Sequence, residues 1–289
     1  MSGPLRLGGR TFAPRELLVM AIINRTPDSF YDRGATFAPE AALAAAARAV
    51  ADGADIIDIG GVKAGPGDEV TPAEEIRRTV DTIAAVRERF PDVVISIDTW
   101  RAEVAREAVA AGADLINDTW SGADPGLARV AAETGVGLVC SHAGGLRPRT
   151  RPHRAAFADV VADVVQTVTR LAERAVDLGV RPDGILIDPA HDFGKNTYHS
   201  LEITRRLGEL VATGWPVLVA LSRKDFVGET LDLPPPQRLE GTLAATAVSA
   251  WLGARVFRTH DVAATRRVLD MVASIRGDRP PAVSRRGLA

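Results

Sequence analysis

Leu17-Leu18-Val19-Met20-Ala21-Ile22-Ile23-Asn24 is apolar along its length and polar only at its last position. A strand of that kind keeps its body in a core and opens its tip to a site. The form recurs down the chain. Ala54 to Gly61 supplies a second run, and further runs end at Asp98, Asn117-Asp118, His142, Asp188, Ser222-Arg223-Lys224 and Arg258-Thr259-His260. A helical stretch follows each one. Eight such strands predict an α/β chain folded as one domain, a (β/α)8 TIM barrel whose strand tips share a composite site. A doubly wound parallel sheet also alternates strands and helices, but it has fewer strands as a rule and needs no eighth strand returning to the first.

The connectors differ at the two ends of the strands. Ala51-Asp52-Gly53-Ala54, Ala111-Gly112-Ala113 and Leu252-Gly253-Ala254 are short helix-to-strand turns in which glycine supplies a left-handed helix stop. The strand-to-helix loops are longer and polar. They include Arg25 to Ala38, Gly61 to Asp68, and a stretch with Arg147, Arg149, Arg151 and Arg154. Loop length alone therefore assigns a stabilising end and a reactive end. Thr71-Pro72-Ala73-Glu74 reads as a helix start with Thr as cap and Pro in the first turn. Residues 1–15 read as an N-terminal extension or lid, and residues 277–289 as a tail.

The 289 residues suit one barrel, and 46% apolar content supports a large core. A net charge of -2 gives no general attraction for nucleic acid or an anionic membrane, so any anion binding must be local. Cys140, the single cysteine, allows no intrachain disulfide and sits in an apolar strand as a small buried residue. No signal peptide and no run long enough to span a membrane are evident, so a cytoplasmic location is the expectation.

Asp98, Asn117 and Asp188 end the third, fourth and sixth strands, and carboxylates with a carboxamide can read the edge of a polar heterocycle. Lys224 can donate to the same ring. Asp118 suits a capping or orienting role. Arg258 and His260 alternate, so both face one side of the eighth strand and suit a phosphate. Asn24 offers an oxygen that could hold Mg²⁺ on a diphosphate. There is no Walker loop, no nucleophile elbow and no zinc-type ligand spacing.

Ile23-Asn24-Arg25-Thr26-Pro27-Asp28-Ser29-Phe30 resembles the signature of the dihydropteroate synthases. The likeness continues through Asp58-Ile59-Gly60-Gly61, Ser96-Ile97-Asp98-Thr99, Ile116-Asn117-Asp118, Asp188-Pro189, Phe193-Gly194-Lys195, Ser222-Arg223-Lys224-Asp225-Phe226 and Arg258-Thr259-His260. The resemblance implies condensation of 6-hydroxymethyl-7,8-dihydropterin diphosphate with p-aminobenzoate, with release of diphosphate and use of Mg²⁺. It implies a pterin held by Asp98, Asn117, Asp188 and Lys224. Asn24, Arg258 and His260 would hold the diphosphate and its metal, with the aminobenzoate packed at Phe193, Ser222 and Lys224. It also implies a homodimer, and loops after the first two strands that close over the reacting centre. A methyltransferase-type pterin module is a further alternative, but such modules lack the diphosphate apparatus.

This chain departs from the pattern in the closing loops. The family's second loop carries Glu-Ser-Thr-Arg before Pro-Gly, whereas here Val62-Lys63-Ala64-Gly65 precedes Pro66-Gly67. Arg25 and Arg33 stand where the family has small residues, and Ala190-His191-Asp192 replaces a glycine-containing turn, which would narrow or recharge the mouth. Two expectations follow. Either Arg25, Arg33 or Lys63 replaces the missing arginine in a competent synthase, or the chain resembles a divergent actinobacterial paralogue group that keeps the pterin pocket with weak or absent activity.

Overall fold

The computed structural model describes residues 3–27, 34–150 and 156–287. It opens with a hairpin of β1 (Leu5–Leu7) and β2 (Arg10–Phe12). The barrel strands follow as β3 (Leu18–Asn24), β4 (Ile56–Gly60), β5 (Val94–Asp98), β6 (Leu115–Asp118), β7 (Gly137–Ser141), β8 (Ile185–Asp188), β9 (Leu218–Ala220) and β10 (Val256–Thr259). All pair in parallel with their sequence neighbours, and β10 pairs with β3. An isolated bridge between Ile187 and Val217 joins β8 to β9 and closes the ring. The expected barrel is what forms.

The helices are α1 (Pro39–Ala51), α2 (Pro72–Arg89), α3 (Ala102–Ala110), α4 (Leu127–Thr134), α5 (Val160–Asp177), α6 (Thr197–Arg205), α7 (Leu207–Val211), α8 (Asp225–Leu231), α9 (Leu239–Trp251) and α10 (Val262–Ile275). Thr71 caps α2 as its sequence suggests, its hydroxyl accepting from Glu74 N. Gly53, Gly112 and Gly253 stop their helices at φ +94°, +113° and +109°.

Strand alternation splits the core in two. Outward residues such as Val19, Ile57, Ile95, Ile116 and Phe257 pack against the helices. Inward residues at the N-terminal end of the strands, among them Leu18, Met20, Ile56, Val94, Leu115, Val139, Leu186, Leu218 and Val256, form a second cluster together with Leu5, Leu7 and Phe12 of the hairpin. The hairpin therefore plugs the end of the barrel opposite the strand tips. Arg255 fixes it there by donating to Gly3 O at 2.8 Å and Ala13 O at 2.7 Å. This corrects the alternative that the first residues are a lid: with three apolar side chains to bury, the hairpin goes where the barrel interior is apolar.

Candidate functional site

Two residues further along the same inward-facing rows, the side chains turn polar: Asp58 on β4, Ser96 and Asp98 on β5, Asn117 on β6, Asp188 on β8 and Arg258 on β10. Register brings Asp98 beside Asn117. Arg258 reaches across the barrel, donating from Nε to Asp58 Oδ2 at 2.6 Å and from Nη2 to Asp98 Oδ2 at 2.8 Å. Asn117 Nδ2 lies 3.3 and 3.4 Å from the two Asp58 oxygens. That fixes its amide orientation and leaves its buried Oδ1 without a hydrogen-bond partner. An orphan buried acceptor is costly unless a ligand donor meets it.

Burial pushes the Asp98 carboxyl up to about 7, with Asp58 and Glu75 adding to the rise and Arg258 opposing it. Burial also raises the Asp188 carboxyl, against the charge of Lys224 and a hydrogen bond from Ala190 N at 2.7 Å. For Arg258, burial opposes the charge but the two carboxylates more than offset it, so the guanidinium stays protonated. Lys224 donates to His191 O at 2.6 Å and stands 5.0 Å from the centre of the Phe193 ring, its ammonium disfavoured by burial. Asp98, Asn117, Asp188, Lys224 and Arg258 thus share one electrostatic network.

Ser222 and His260 are brought together, Oγ to Nδ1 at 2.9 Å, and His260 N also donates to that hydroxyl. Burial and the nearby Arg258 push the imidazole down to about 3, so it stays neutral. Asn24 ends β3, and its backbone carbonyl accepts from Thr36 Oγ1. It offers one neutral oxygen, and no group of three or more His, Cys, Asp or Glu side chains suited to a metal occurs among the described residues. These residues do not make a resident Mg²⁺ site by themselves.

Other sequence expectations are corrected. Arg25 is buried, with Nε donating to Arg78 O at 2.8 Å and Nη1 to Thr36 O at 3.3 Å, and its guanidinium lies near Phe37. It braces the first loop against α2 through these two carbonyls. His191 does not recharge the mouth: it is fully buried, stacked on Phe226, with Nε2 3.1 Å from Thr204 Oγ1. Asp192, by contrast, stays in the wall of the mouth: it accepts from Ser200 Oγ and from Phe226 N at the start of α8, and its charge acts on Lys224. Arg33, Arg151 and Arg154 lie outside the described residues.

A cavity of about 630 Å³ opens among the loops beyond β4, β6, β7, β8 and β9, lined by Lys63, Trp120, Leu146, Phe193, Lys195 and Lys224 among others, with Lys224 the member of the network above that stands in its wall. Lys63 therefore does reach the mouth. Trp120 stands edge-on to Phe193, centroids 5.2 Å apart. Asp118 points away from it and holds the loop, accepting from Trp120 N at 2.9 Å and Gly122 N at 2.6 Å.

Two contributors escape a reading of strand tips, and a third, Arg223, stands at a tip but plays another part. Asp58 sits inside its strand, and the signal for it is a charge in the run Ile57-Asp58-Ile59. Lys195 donates to three carbonyls, of His142, Ala190 and Phe193, at 2.8, 3.1 and 2.8 Å. Arg223 is structural, pairing with Asp261 at 2.9 Å and donating to Pro235 O and Pro236 O.

A family model described as pterin binding enzyme matches residues 20–260. The inactive dihydropteroate synthase 2 of Mycobacterium leprae (strain TN) is 62% identical over 287 residues, covering 98% of this chain and 99% of that protein. The dihydropteroate synthase of Bacillus subtilis (strain 168) is 40% identical over 257 residues, 88% of this chain and 87% of its own. Among solved structures, the Yersinia pestis dihydropteroate synthase with a sulfonamide drug superposes with a TM-score of 0.90 at 37% identity, over 96% of this chain and 100% of that one. The Coxiella burnetii enzyme in complex with pteroic acid gives 0.86 at 33% identity, over 96% and 100%. With the barrel, the inward ring of Asp98, Asn117, Asp188, Lys224 and Arg258, and these likenesses together, the chain belongs to the dihydropteroate synthase family of pterin-binding enzymes.

Proposed function

We propose that this protein binds a pterin at the strand tips and carries out the synthase condensation weakly or not at all. The observation that carries the second half is the fate of the arginines. The second loop has Ala64 and Gly65 where the family has a Thr and an Arg, and Lys63, two positions away, is a point charge that cannot reproduce a bidentate fork. Arg25, the second of the described candidates, turns Nε and Nη1 to the carbonyls of Arg78 and Thr36. Arg258 is spanned by two carboxylates and His260 is neutral, so little positive charge is free where a diphosphate would depart. The orphan Oδ1 of Asn117 supports the first half, since a pterin amino group would satisfy it.

In this reading Asp98 and Asp188 accept from ring N–H groups, and Lys224 donates to a ring acceptor while packing on Phe193. An aryl ring such as that of p-aminobenzoate would lie toward Phe193 and Ser222. Mg²⁺ would arrive on a phosphorylated ligand, with Asn24 as its neighbour. Val248, Trp251, Met271 and Ile275, exposed on α9 and α10, would be covered in a homodimer. A single buried cysteine and the absence of a spanning helix among the described residues suit a cytoplasmic protein.

The test mixes purified protein with 6-hydroxymethyl-7,8-dihydropterin diphosphate, p-aminobenzoate and Mg²⁺, follows diphosphate release, and titrates the pterin by calorimetry in parallel. Binding without release is the expected result. Turnover at ordinary enzyme rates would overturn the loss of activity, and no uptake of any pterin would overturn the ligand.

A further inference from the structure

The loop after β7 ties the mouth together from one side to the other. At its base it is locked to the loop after β8. A Cβ on Gly144 would come within 3.0 Å of Gly194 O, and one on Gly194 within 2.5 Å of Ala143 O, so the two backbones touch. Lys195 reinforces this contact, since its ammonium bonds carbonyls of both loops, those of His142 and of Ala190 and Phe193.

From that anchor the β7 loop reaches to the loop after β4. Arg149 donates from Nη1 to Asp68 O and from Nε to Gly65 O at 3.4 Å. In the sheet, β5 and β6 lie between β4 and β7. The contact therefore passes over the tips that carry Asp98 and Asn117. Leu146 and Thr150 from one loop and Lys63, Ala64 and Gly65 from the other line the same cavity. Arg149 holds φ at +62°, a conformation that side chains other than glycine rarely adopt, and its two carbonyl contacts supply a reason for it. The loop it grips, Val62-Lys63-Ala64-Gly65-Pro66-Gly67, is made of small, apolar and Gly/Pro residues apart from Lys63. Its side chains other than Lys63 offer little to hold a closed position.

We propose that Arg149 is a positioning residue for ligand retention: it clasps the second loop from across the mouth, and a bound pterin leaves when the clasp opens. Arg149 touches no ligand in this account. It acts through the loop that carries Lys63. The proposal rests on the pterin-binding reading above, so its test has one arm that needs no ligand.

That arm is hydrogen–deuterium exchange of the ligand-free protein. Arg149→Ala raises exchange in residues 62–69 and leaves the strands unchanged, Arg149→Lys recovers part of the protection, and Arg147→Ala has no effect. The second arm is stopped-flow tryptophan fluorescence with 6-hydroxymethylpterin, reported by Trp120 at the mouth. Losing a charge-assisted hydrogen bond speeds release about tenfold in Arg149→Ala, with association unchanged or faster and the melting temperature unmoved. Equal exchange at 62–69 in wild type and Arg149→Ala overturns the clasp. Raised exchange with an unaltered release rate overturns its role in retention. If the unsubstituted protein takes up no pterin, the pterin reading and the retention role fall together, while the exchange arm still decides whether the clasp exists.

Discussion

Asp58→Asn removes a carboxylate that is fully buried and bonded to Arg258 Nε at 2.6 Å. Stripping one partner from a buried ion pair costs about 3–5 kcal/mol when the other charge is left alone. Here Arg258 keeps Asp98 at 2.8 Å, and the new carboxamide retains one acceptor oxygen. The loss is then closer to that of one charge-assisted hydrogen bond, about 2 kcal/mol. For a domain of this size that lowers the melting temperature by roughly 4–8 °C. Asp58→Ala, which also abolishes the acceptor and opens space beside Asn117, costs more, about 4 kcal/mol. The substitution has a second consequence. Asp58 is one of the charges that raise the Asp98 carboxyl, so its removal lowers the pH at which Asp98 ionises. Thermal denaturation by circular dichroism and pterin calorimetry across pH read the two effects separately. A melting temperature within about 1 °C of wild type in Asp58→Asn, together with an unshifted pH midpoint, would refute the reasoning: the pair would then contribute no net stability and would not set the field at Asp98.

Pterin affinity depends on the same carboxylate. If the ligand's N–H groups require ionised Asp98, held up to about 7 in the free protein, affinity is full above that pH and falls as pH drops through it, and Asp98→Asn flattens the profile while weakening binding about a hundredfold. A pH-independent affinity in wild type would contradict this. Burial and the charge of Lys195 hold His142 down to about 4, below its unfolded value. Its contribution to stability is therefore present above about 6.5 and lost as pH falls toward 4, so His142→Asn reduces the acid sensitivity of urea unfolding between about pH 7 and pH 5. Lys195→Met takes the ammonium from three carbonyls, of which, among the described residues, only Ala190 O keeps a second donor, Phe193 N, and costs about 3 kcal/mol in urea unfolding, whereas a loss under about 1 kcal/mol would show that water replaces the ammonium. Cys140 is buried, with its thiol pushed well up by burial and then by Asp118, so thiol reagents label it at the rate of unfolding and not before.

Much of the fold was legible because the barrel repeats one pattern. Apolar strand bodies with polar tips, Gly-stopped helices before most returns, and long polar loops at one end are all local signals, and Thr71, Gly53, Gly112 and Gly253 behave as their types suggest. The N-terminal hairpin was not legible as a plug, since nothing in Leu5-Arg6-Leu7 states which end of a barrel it will enter. That choice follows from the apolar layer of Leu18, Met20 and Val256, assembled from strands far apart in the chain.

The candidate site divides the same way. The sequence by itself determined which residues stand at strand tips, because period-two alternation makes Arg258 and His260 share a face, and it marked the second loop as unlike its family. The tertiary structure alone decided which charges remain available. Arg25 is a strong anion binder in isolation but settles on Arg78 O and Thr36 O. His191 turns from the mouth to Thr204, while Asp192 stays in its wall, fixed by Ser200 and the start of α8. Arg258 is held between Asp58 and Asp98. A side chain's position in sequence limits where it can reach, but its partner is chosen by competition among every donor and acceptor that packing brings near, and that list exists only once the chain has folded.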